Sequence, residues 1–347
     1  KKQYEKAMPI LDRLIRRHPI VFEFEPEGVY AARATGRNEL SRNPIPDCVT
    51  SLRIQENFAA RWTAIRYYDK HDRNGLVQYY SSILSKHHPK DLELRKFLIE
   101  WDKRAMNKGK SLAKDLLDTH DVIPDYAIAI DAISIALSDP QITAVQRAAY
   151  HELLADYSAR QSQFEKAVKS YGIATKLDTS KNQARAKAAL LSFYNGSKES
   201  PIMDVNLIGR FPMCKYTLCA AAAQTIQTDR KKTLFMLESS LKIDPSFADA
   251  KLVLAEIEAM EGQSGRALDR INSLVEESSY PMCLVPERPY MLRAKLYMLQ
   301  NEIGLAFLNL TIARLINPSS LSVRQELSQY YQKTGKRTLA EGVGPIR

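Results

Sequence analysis

The residues that most often carry catalysis are few in this chain and are not grouped. The sequence has no HExxH motif, no histidine pair four residues apart and no cysteine–histidine cluster, so it predicts no metal site. It also lacks the GxxxxGKS/T, GxGxxG and GxSxG motifs of nucleotide loops and serine hydrolases. The six histidines are His18, His71, His87, His88, His120 and His151. We therefore predict that the chain is not an enzyme and binds no metal, nucleotide or other cofactor.

Cysteine usage favours free thiols over a disulfide framework. Four cysteines in 347 residues are too few for such a framework, and none forms a CxxC pair. They are Cys48, Cys214, Cys219 and Cys283. We therefore expect buried free thiols and a reducing compartment such as the cytoplasm.

Charge and hydropathy restrict the class of partner. The formal net charge is +10, from 50 basic and 40 acidic residues, which favours acidic partners. The basic residues are scattered in short groups, so no block resembles a nucleic-acid-binding arm. The longest apolar stretch, Tyr126 to Leu137, contains Asp131 and is shorter than the roughly 20 residues of a membrane span. We expect protein partners, acidic ones included, and neither nucleic acid nor a membrane span.

A repeat of 34 residues supplies the elements that must position any binding site. In residues 248–281, small side chains at Ala255 and Ala267 alternate with large apolar ones, and Gly262 separates two helical patterns. Units in the same phase are 214–247, 287–320 and the residues from 321 onwards, the last two displaced by five extra residues, 282–286. A fixed period of this length indicates stacked helical hairpins.

These positions resemble the tetratricopeptide repeat (TPR) family. Its pattern has small residues at positions 8 and 20, Ala at 27 and Pro at 32, and the unit 287–320 matches it. The matching residues are Ala294, Ala306, Ala313 and Pro318. Positions 8 and 20 lie where the two helices nearly touch, so only small side chains fit there. The resemblance implies an all-α fold, a right-handed α-solenoid of stacked antiparallel helix pairs.

The rest of the chain follows the pattern less closely. Residues 20–57 are rich in Pro and Gly, and the stretch 21–25 alternates like a β-strand. Between 92 and 147 the repeat phase is lost, so we expect one irregular or extra helix there. The predicted segments are the second helix of a truncated repeat over 1–19, an irregular, partly strand-like insertion or arm over 20–57, degenerate N-terminal repeats over 58–194, a linker or bend over 195–213 and the C-terminal TPR array over 214–347.

The concave groove of the C-terminal array is the predicted binding surface. In the TPR family, positions 2, 5, 9, 12 and 13 of each first helix line this groove. The predicted groove residues are Lys215, Leu218, Ala222, Ile226, Leu252, Glu256, Met260, Arg288, Met291, Lys295, Met298 and Leu299. The set is apolar and rich in methionine, which adapts to a docked helix or peptide. The alternative is that the chain itself covers these residues.

The predicted function is a non-enzymatic scaffold or adaptor that binds a helix or an extended segment of a partner protein. It would act as a subunit or assembly factor of a larger complex. One alternative is a helical-repeat RNA-binding protein, which only the net charge supports. Equivalent positions hold Leu218, Leu252 and Met291, where base-reading repeats would place polar side chains. A regulatory subunit of an enzyme on another chain is a third hypothesis that the sequence does not separate from the first.

Overall fold

The computed structural model describes residues 2–17, 26–106, 108–195, 214–277, 283–335 and 339. Within these ranges the chain is all-α, with eighteen helices and no strand. The first nine are α1 (Lys2–Arg17), α2 (Pro26–Glu39), α3 (Ile45–Ile54), α4 (Phe58–Lys70), α5 (Asn74–His87), α6 (Leu92–Ala105), α7 (Leu112–Thr119), α8 (Tyr126–Ser138) and α9 (Ala144–Arg160). The others are α10 (Phe164–Leu177), α11 (Asn182–Tyr194), α12 (Lys215–Thr225), α13 (Arg230–Ile243), α14 (Ala248–Met260), α15 (Ser264–Glu277), α16 (Arg288–Leu299), α17 (Ile303–Ile316) and α18 (Leu321–Lys333).

Packing divides the chain into two compact units, Lys1–Ala136 and Leu137–Arg347. Successive helices form pairs within each unit. The pairs are α2/α3 and α4/α5 in the first unit, and α9/α10, α12/α13, α14/α15 and α16/α17 in the second. The predicted all-α solenoid of stacked helix pairs is therefore confirmed.

One backbone feature marks the same place in five repeats. In five of the units used above, the residue at position 15, just after the first helix, lies in the left-handed region. These residues are Asp72, Ser162, Gly262, Asn301 and Gly335, with φ between 55° and 76°. This conformation ends the first helix and reverses the chain, and glycine or a short polar residue adopts it most easily. From Gly262 onwards the spacing agrees with the 34-residue period, because Asn301 follows after 34 residues plus the five-residue shift and Gly335 after 34 more.

The small residues of the repeat pattern lie where the two helices of a pair meet. Six alanines at positions 8 and 20 are each at most 1% exposed, and they are Ala155, Ala167, Ala255, Ala267, Ala294 and Ala306. In the unit 214–247 the pair is Ala221 with Thr233, and the Thr233 hydroxyl lies 2.9 Å from the Thr225 hydroxyl. Close helix contact therefore requires small side chains here, as the pattern predicted.

Where the sequence predicted an irregular segment, residues 26–54 form a helical hairpin. Helices α2 and α3 pair with each other and pack against α1 and α4. The buried Arg33 donates to both carboxylate oxygens of Asp47, at 3.1 and 2.6 Å, and Arg37 reaches the same carboxylate at 2.9 Å. These ion pairs hold the hairpin together beside the small buried residues Ala31, Ala34 and Cys48. The strand-like stretch 21–25 lies outside the described residues.

The interval 92–147 contains the expected departure from the repeat. Short helix α7 packs against α5, and Asp115 of α7 accepts the N–H groups of Gly75 at 2.7 Å and Leu76 at 3.1 Å. This carboxylate satisfies the first N–H groups of α5. A Cβ added to Gly75 would lie 2.5 Å from the carbonyl carbon of Ser111, so glycine permits the close approach. Helices α6, α7 and α8 thus interrupt the alternation of first and second helices.

Helix α11 follows the unit 148–181 at the spacing of one repeat. It begins 34 residues after Ala148 and packs against α10 and α12 within the second compact unit. The linker predicted at 195–213 lies almost entirely outside the described residues, as does most of the chain after Gly335.

Candidate functional site

Two adjoining hollows lie between the first helices of the last repeats. Their volumes are about 370 and 230 Å³. Both are lined by α16 and α18, and the smaller one also reaches α14. Together they form the open groove, whose lining residues are Glu256, Arg288, Met291, Leu292, Lys295, Met298, Leu299, Ser322, Gln325, Glu326, Gln329, Tyr330 and Lys333.

Helical spacing places these side chains on one face of each helix. On α16, Met291, Lys295 and Met298 follow at intervals of four and three residues, which keeps them on one side. On α18, Gln325 and Gln329 obey the same rule. The opposite face of α16 is buried through Tyr290, Ala294 and Tyr297. Core packing of that face therefore holds the lining residues towards the groove.

The open groove has an apolar end that remains exposed. Leu299 is 73% exposed beside the half-buried Met298. Tyr330 of α18 contributes a nearly buried ring to the same hollow. A single exposed leucine is ordinary, but a leucine adjoining further apolar side chains in a concave surface is typical of an interaction site.

Two ion pairs neutralise most of the charge in the open groove. Lys295 Nζ lies 2.8 Å from Glu326 Oε1 and so joins α16 to α18. Arg288 pairs with Glu256, which joins α16 to α14. Burial alone would lower the pKa of Arg288, but Glu256 raises the pKa above its ordinary value, so the guanidinium stays charged. With Lys333 added, the lining has a slight basic excess around its apolar end.

Half of the predicted groove residues line the open groove. These six are Glu256, Arg288, Met291, Lys295, Met298 and Leu299. Leu218, Ala222 and Leu252 are instead at most 5% exposed and pack into the core. The others are Lys215, which pairs with Asp244, Ile226, which is half-buried, and Met260, which is 64% exposed but does not line the groove.

The wall formed by α18 was missed, although the sequence held the signal. Applying the family's groove positions to the unit that begins at residue 321 gives Ser322, Gln325, Gln329, Gln332 and Lys333. All of them except Gln332 line the open groove. The pattern therefore applied to one more repeat than the prediction used.

A buried charge cluster occupies the inner surface near α9 and α11. Lys187 is 5% exposed, and its Nζ lies 2.9 Å from Asp156 Oδ2 and 3.2 Å from Glu152 Oε1. The ammonium also lies 5.3 Å from the centre of the Tyr216 ring. Burial alone would lower the pKa of Lys187, but Asp156 and the other neighbours raise it. These charges bind one another and so hold α9, α11 and α12 together.

Residues 283–287, the inner segment, cover another part of the inner surface. All five are buried. The N–H of Leu284 donates to Asp249 Oδ1 at 3.2 Å, and the hydroxyl of Tyr194 donates to the same oxygen at 3.1 Å. Burial raises the pKa of Asp249 to about 6 despite these two hydrogen bonds. The inner segment thus packs against Asp249, and sequence analysis found only the extra length of this stretch.

The described residues show no arrangement suited to a metal ion, since no three His, Cys, Asp or Glu side chains are grouped there. No helix in the same ranges is long and apolar enough to cross a bilayer. All four cysteines are described and none is disulfide-bonded, and three of them, Cys48, Cys219 and Cys283, are buried.

One solved structure shares this architecture, and two others match the chain less closely. A chain in the crystal structure of the APC/C hetero-tetramer Cut9–Hcn1 matches with a TM-score of 0.57 and 14% identity, covering 98% of this chain and 68% of that one. A tetratricopeptide repeat protein from Parabacteroides merdae ATCC 43184 gives a TM-score of 0.45 and 14% identity, over 79% of this chain and 98% of that one. The TPR domain of P58(IPK) gives 0.30 and 18%, over 97% and 94%.

Sequence comparison adds no relative. No protein-family model matches the chain, and no curated protein matches it. The fold therefore rests on the shared left-handed turns, the paired alanines and the structural likeness. Together they show that this chain has the all-α solenoid fold of the tetratricopeptide-repeat proteins.

Proposed function

We propose that the chain is a non-enzymatic protein-interaction scaffold whose open groove binds an amphipathic helix of a partner protein. The observation that carries the proposal is the exposed apolar end of the groove at Met298 and Leu299. The hollow beside these residues has a volume of about 370 Å³. Removal of this surface from water on binding would stabilise a complex by roughly 25 cal/mol for each Å² buried.

The lining favours a helical partner over an extended one. A helix satisfies its own backbone hydrogen bonds and needs only side-chain contacts, whereas an extended segment needs partners for its N–H and C=O groups. In the groove, Lys295 is already paired with Glu326 and Arg288 with Glu256. The partner helix would place one apolar face on Met298 and Leu299, with acidic residues near Lys333.

The structural likeness supports a place in a larger assembly. The Cut9–Hcn1 structure is that of a hetero-tetramer of the APC/C, and the likeness to it extends over nearly the whole of this chain. At 14% identity the likeness concerns the fold, so the assembly is part of our proposal. The mostly buried thiols, none of which is disulfide-bonded, fit a reducing compartment such as the cytoplasm.

The experiment is a pull-down from the native source, with the full chain as bait and quantitative mass spectrometry as readout. The test variant is Met298→Ser with Leu299→Ser, which removes the apolar end. The control is Met260→Ser, because Met260 is 64% exposed and lies outside the groove lining. We expect the wild type and the control to recover one common partner and the double variant to recover at least tenfold less.

Direct contact is then checked with a photo-crosslinking residue at position 299. The crosslinked peptide should belong to an amphipathic helix of the same partner. Unchanged partner recovery by the double variant would refute the assignment of the groove. Crosslinking to an extended segment would refute its helical occupant.

A further inference from the structure

The inner segment is unusual because it is the described part of a connection between two helical hairpins and yet is buried. Connecting segments normally run over the surface, where water satisfies their backbone groups. Here Cys283, Leu284 and Val285 are 0%, 3% and 6% exposed, and Glu287 is 1% exposed. The chain thus buries an apolar stretch against Asp249 at one end and Asn317 at the other.

One end of the inner segment is held by α11 and α14. Asp249 of α14 accepts the N–H of Leu284 at 3.2 Å, and Tyr194 of α11 donates to the same carboxylate oxygen at 3.1 Å. Asp249 is residue 2 of its repeat, one of the groove positions of the family pattern. Arg288, which follows the segment, donates to the Tyr194 carbonyl at 2.9 Å and lies 4.6 Å from its ring centre.

The other end is held by residues distant in sequence. The Glu287 carboxylate accepts from the Asn317 side-chain amide at 2.8 Å and from the Ser162 hydroxyl at 3.5 Å. Ser162 lies in the turn between α9 and α10, whereas Asn317 ends α17. A segment of five residues therefore spans the inner side from α14 to the α9–α10 turn.

These contacts are of the same kinds as the contacts that a bound peptide makes with its recognition site. Peptide-recognition sites bind a backbone N–H with a polar side chain, bury apolar side chains and hold a terminal or acidic carboxylate with amide or hydroxyl donors. The inner segment supplies each of these groups in order: the Leu284 N–H, the apolar Leu284 and Val285, and the Glu287 carboxylate.

We infer that the inner segment is a resident ligand of a second binding site, formed by Tyr194, Asp249, Ser162 and Asn317. A partner segment with the same order of groups, two apolar residues, a proline and a carboxylate, competes for this site. The site lies apart from the apolar end of the open groove, so it does not depend on the proposed function.

The test must account for the fact that the inner segment is covalently part of the chain to which it binds. A resident segment has an effective concentration on the order of millimolar, so a free peptide competes poorly with it. We would therefore weaken the resident with Leu284→Ser and Val285→Ser in the full chain. The probe is a fluorescent peptide of residues 283–290 with serine at its first position. Fluorescence anisotropy should show saturable binding at least tenfold tighter to the variant than to the wild type.

Two controls define the specificity. A peptide with the same two serine substitutions should bind at least tenfold more weakly than the probe. A chain with Leu299→Ser added should bind the probe unchanged. Absence of probe binding to a folded variant, equal binding of both peptides, or dependence on Leu299 would each overturn the proposal.

A second experiment tests the proposal even if the variant with Leu284→Ser and Val285→Ser does not fold. In a chain with Cys48→Ser, Cys214→Ser and Cys219→Ser, Cys283 is the only thiol, and its sulfur is fully buried. Millimolar probe should raise the rate of Cys283 alkylation at least threefold by displacing the inner segment. The doubly substituted peptide should leave the rate unchanged, and no acceleration by the probe would overturn the proposal.

Discussion

The inner side of the unit Leu137–Arg347 has two regions with opposite properties. Around Asp249 and Lys187, the chain fills the surface with its own inner segment and with paired charges. Between α16 and α18, hollows of about 370 and 230 Å³ remain, beside a leucine that is 73% exposed. The same repeat thus yields a closed region where polar groups stabilise the fold and an open region that is free to bind.

The largest expected effect comes from Lys187→Met in the closed region. The substitution removes the buried cation that lies between Asp156 and Glu152 and leaves Lys181 beside Glu152, and breaking a buried pair typically costs about 3–5 kcal/mol. We expect the midpoint of thermal unfolding, measured by circular dichroism, to fall by roughly 10 °C. A chain with Glu152→Gln and Asp156→Asn added should regain most of the loss. A fall of less than 2 °C would show that the cluster is solvated.

The next largest effect concerns Asp249, whose buried carboxylate should make the stability of the fold depend on pH. Its pKa is about 6 in the folded chain and 3.8 ordinarily, so the folded state binds the proton more tightly than the unfolded state. The carboxylate therefore destabilises the fold above pH 6, and this penalty is relieved as the pH falls through 6 towards 4. Asp249→Asn keeps an oxygen acceptor and removes the penalty.

We expect Asp249→Asn to stabilise the chain by about 2 kcal/mol more at pH 8 than at pH 4. Urea unfolding of both chains at the two pH values measures this difference. Asp249→Leu removes the acceptor as well and serves as the control for the hydrogen bonds to Leu284 and Tyr194. The same stability difference at both pH values would contradict the buried, charged state of Asp249.

The smallest effect is expected in the open region. Lys295 is 54% exposed where it pairs with Glu326, and exposed pairs contribute about 0–1 kcal/mol. Lys295→Ala should change the free energy of unfolding by about 0.5 kcal/mol or less. A loss above 2 kcal/mol in urea unfolding would show that the groove is a packed interior instead.

The sequence was sufficient to predict the repeat. Small residues such as Ala255 and Ala267 are required wherever two helices touch, so the spacing of these residues carries the geometry directly. The hairpin at 26–54 was predicted as irregular because the segment is rich in Pro and Gly, and the ion pair of Arg33 with Asp47 that holds it could not be predicted from the sequence. Such a pair forms between residues far apart in sequence and leaves no periodic signal.

The lining of the open groove was predictable only in part, because the exposure of a side chain depends on tertiary packing. The family pattern predicts which side of a helix faces inwards, and Met298 and Lys295 of the predicted set line a hollow in the structure. Whether an inward residue is exposed depends on what packs over it. Leu252 is fully buried, although it occupies the same repeat position as Met291. Likewise, the burial of residues 283–287 depends on contacts across several repeats.

The contrast between closed and open regions is tested most directly by thiol reactivity. In a chain that retains only Cys283, we would add Met298→Cys and follow alkylation at both positions by mass spectrometry. We predict that the thiol at position 298 reacts close to the rate of a free thiol, that Cys283 reacts at least a hundredfold more slowly, and that the bound partner protects position 298. Equal rates at the two positions, or no protection by the partner, would contradict the account.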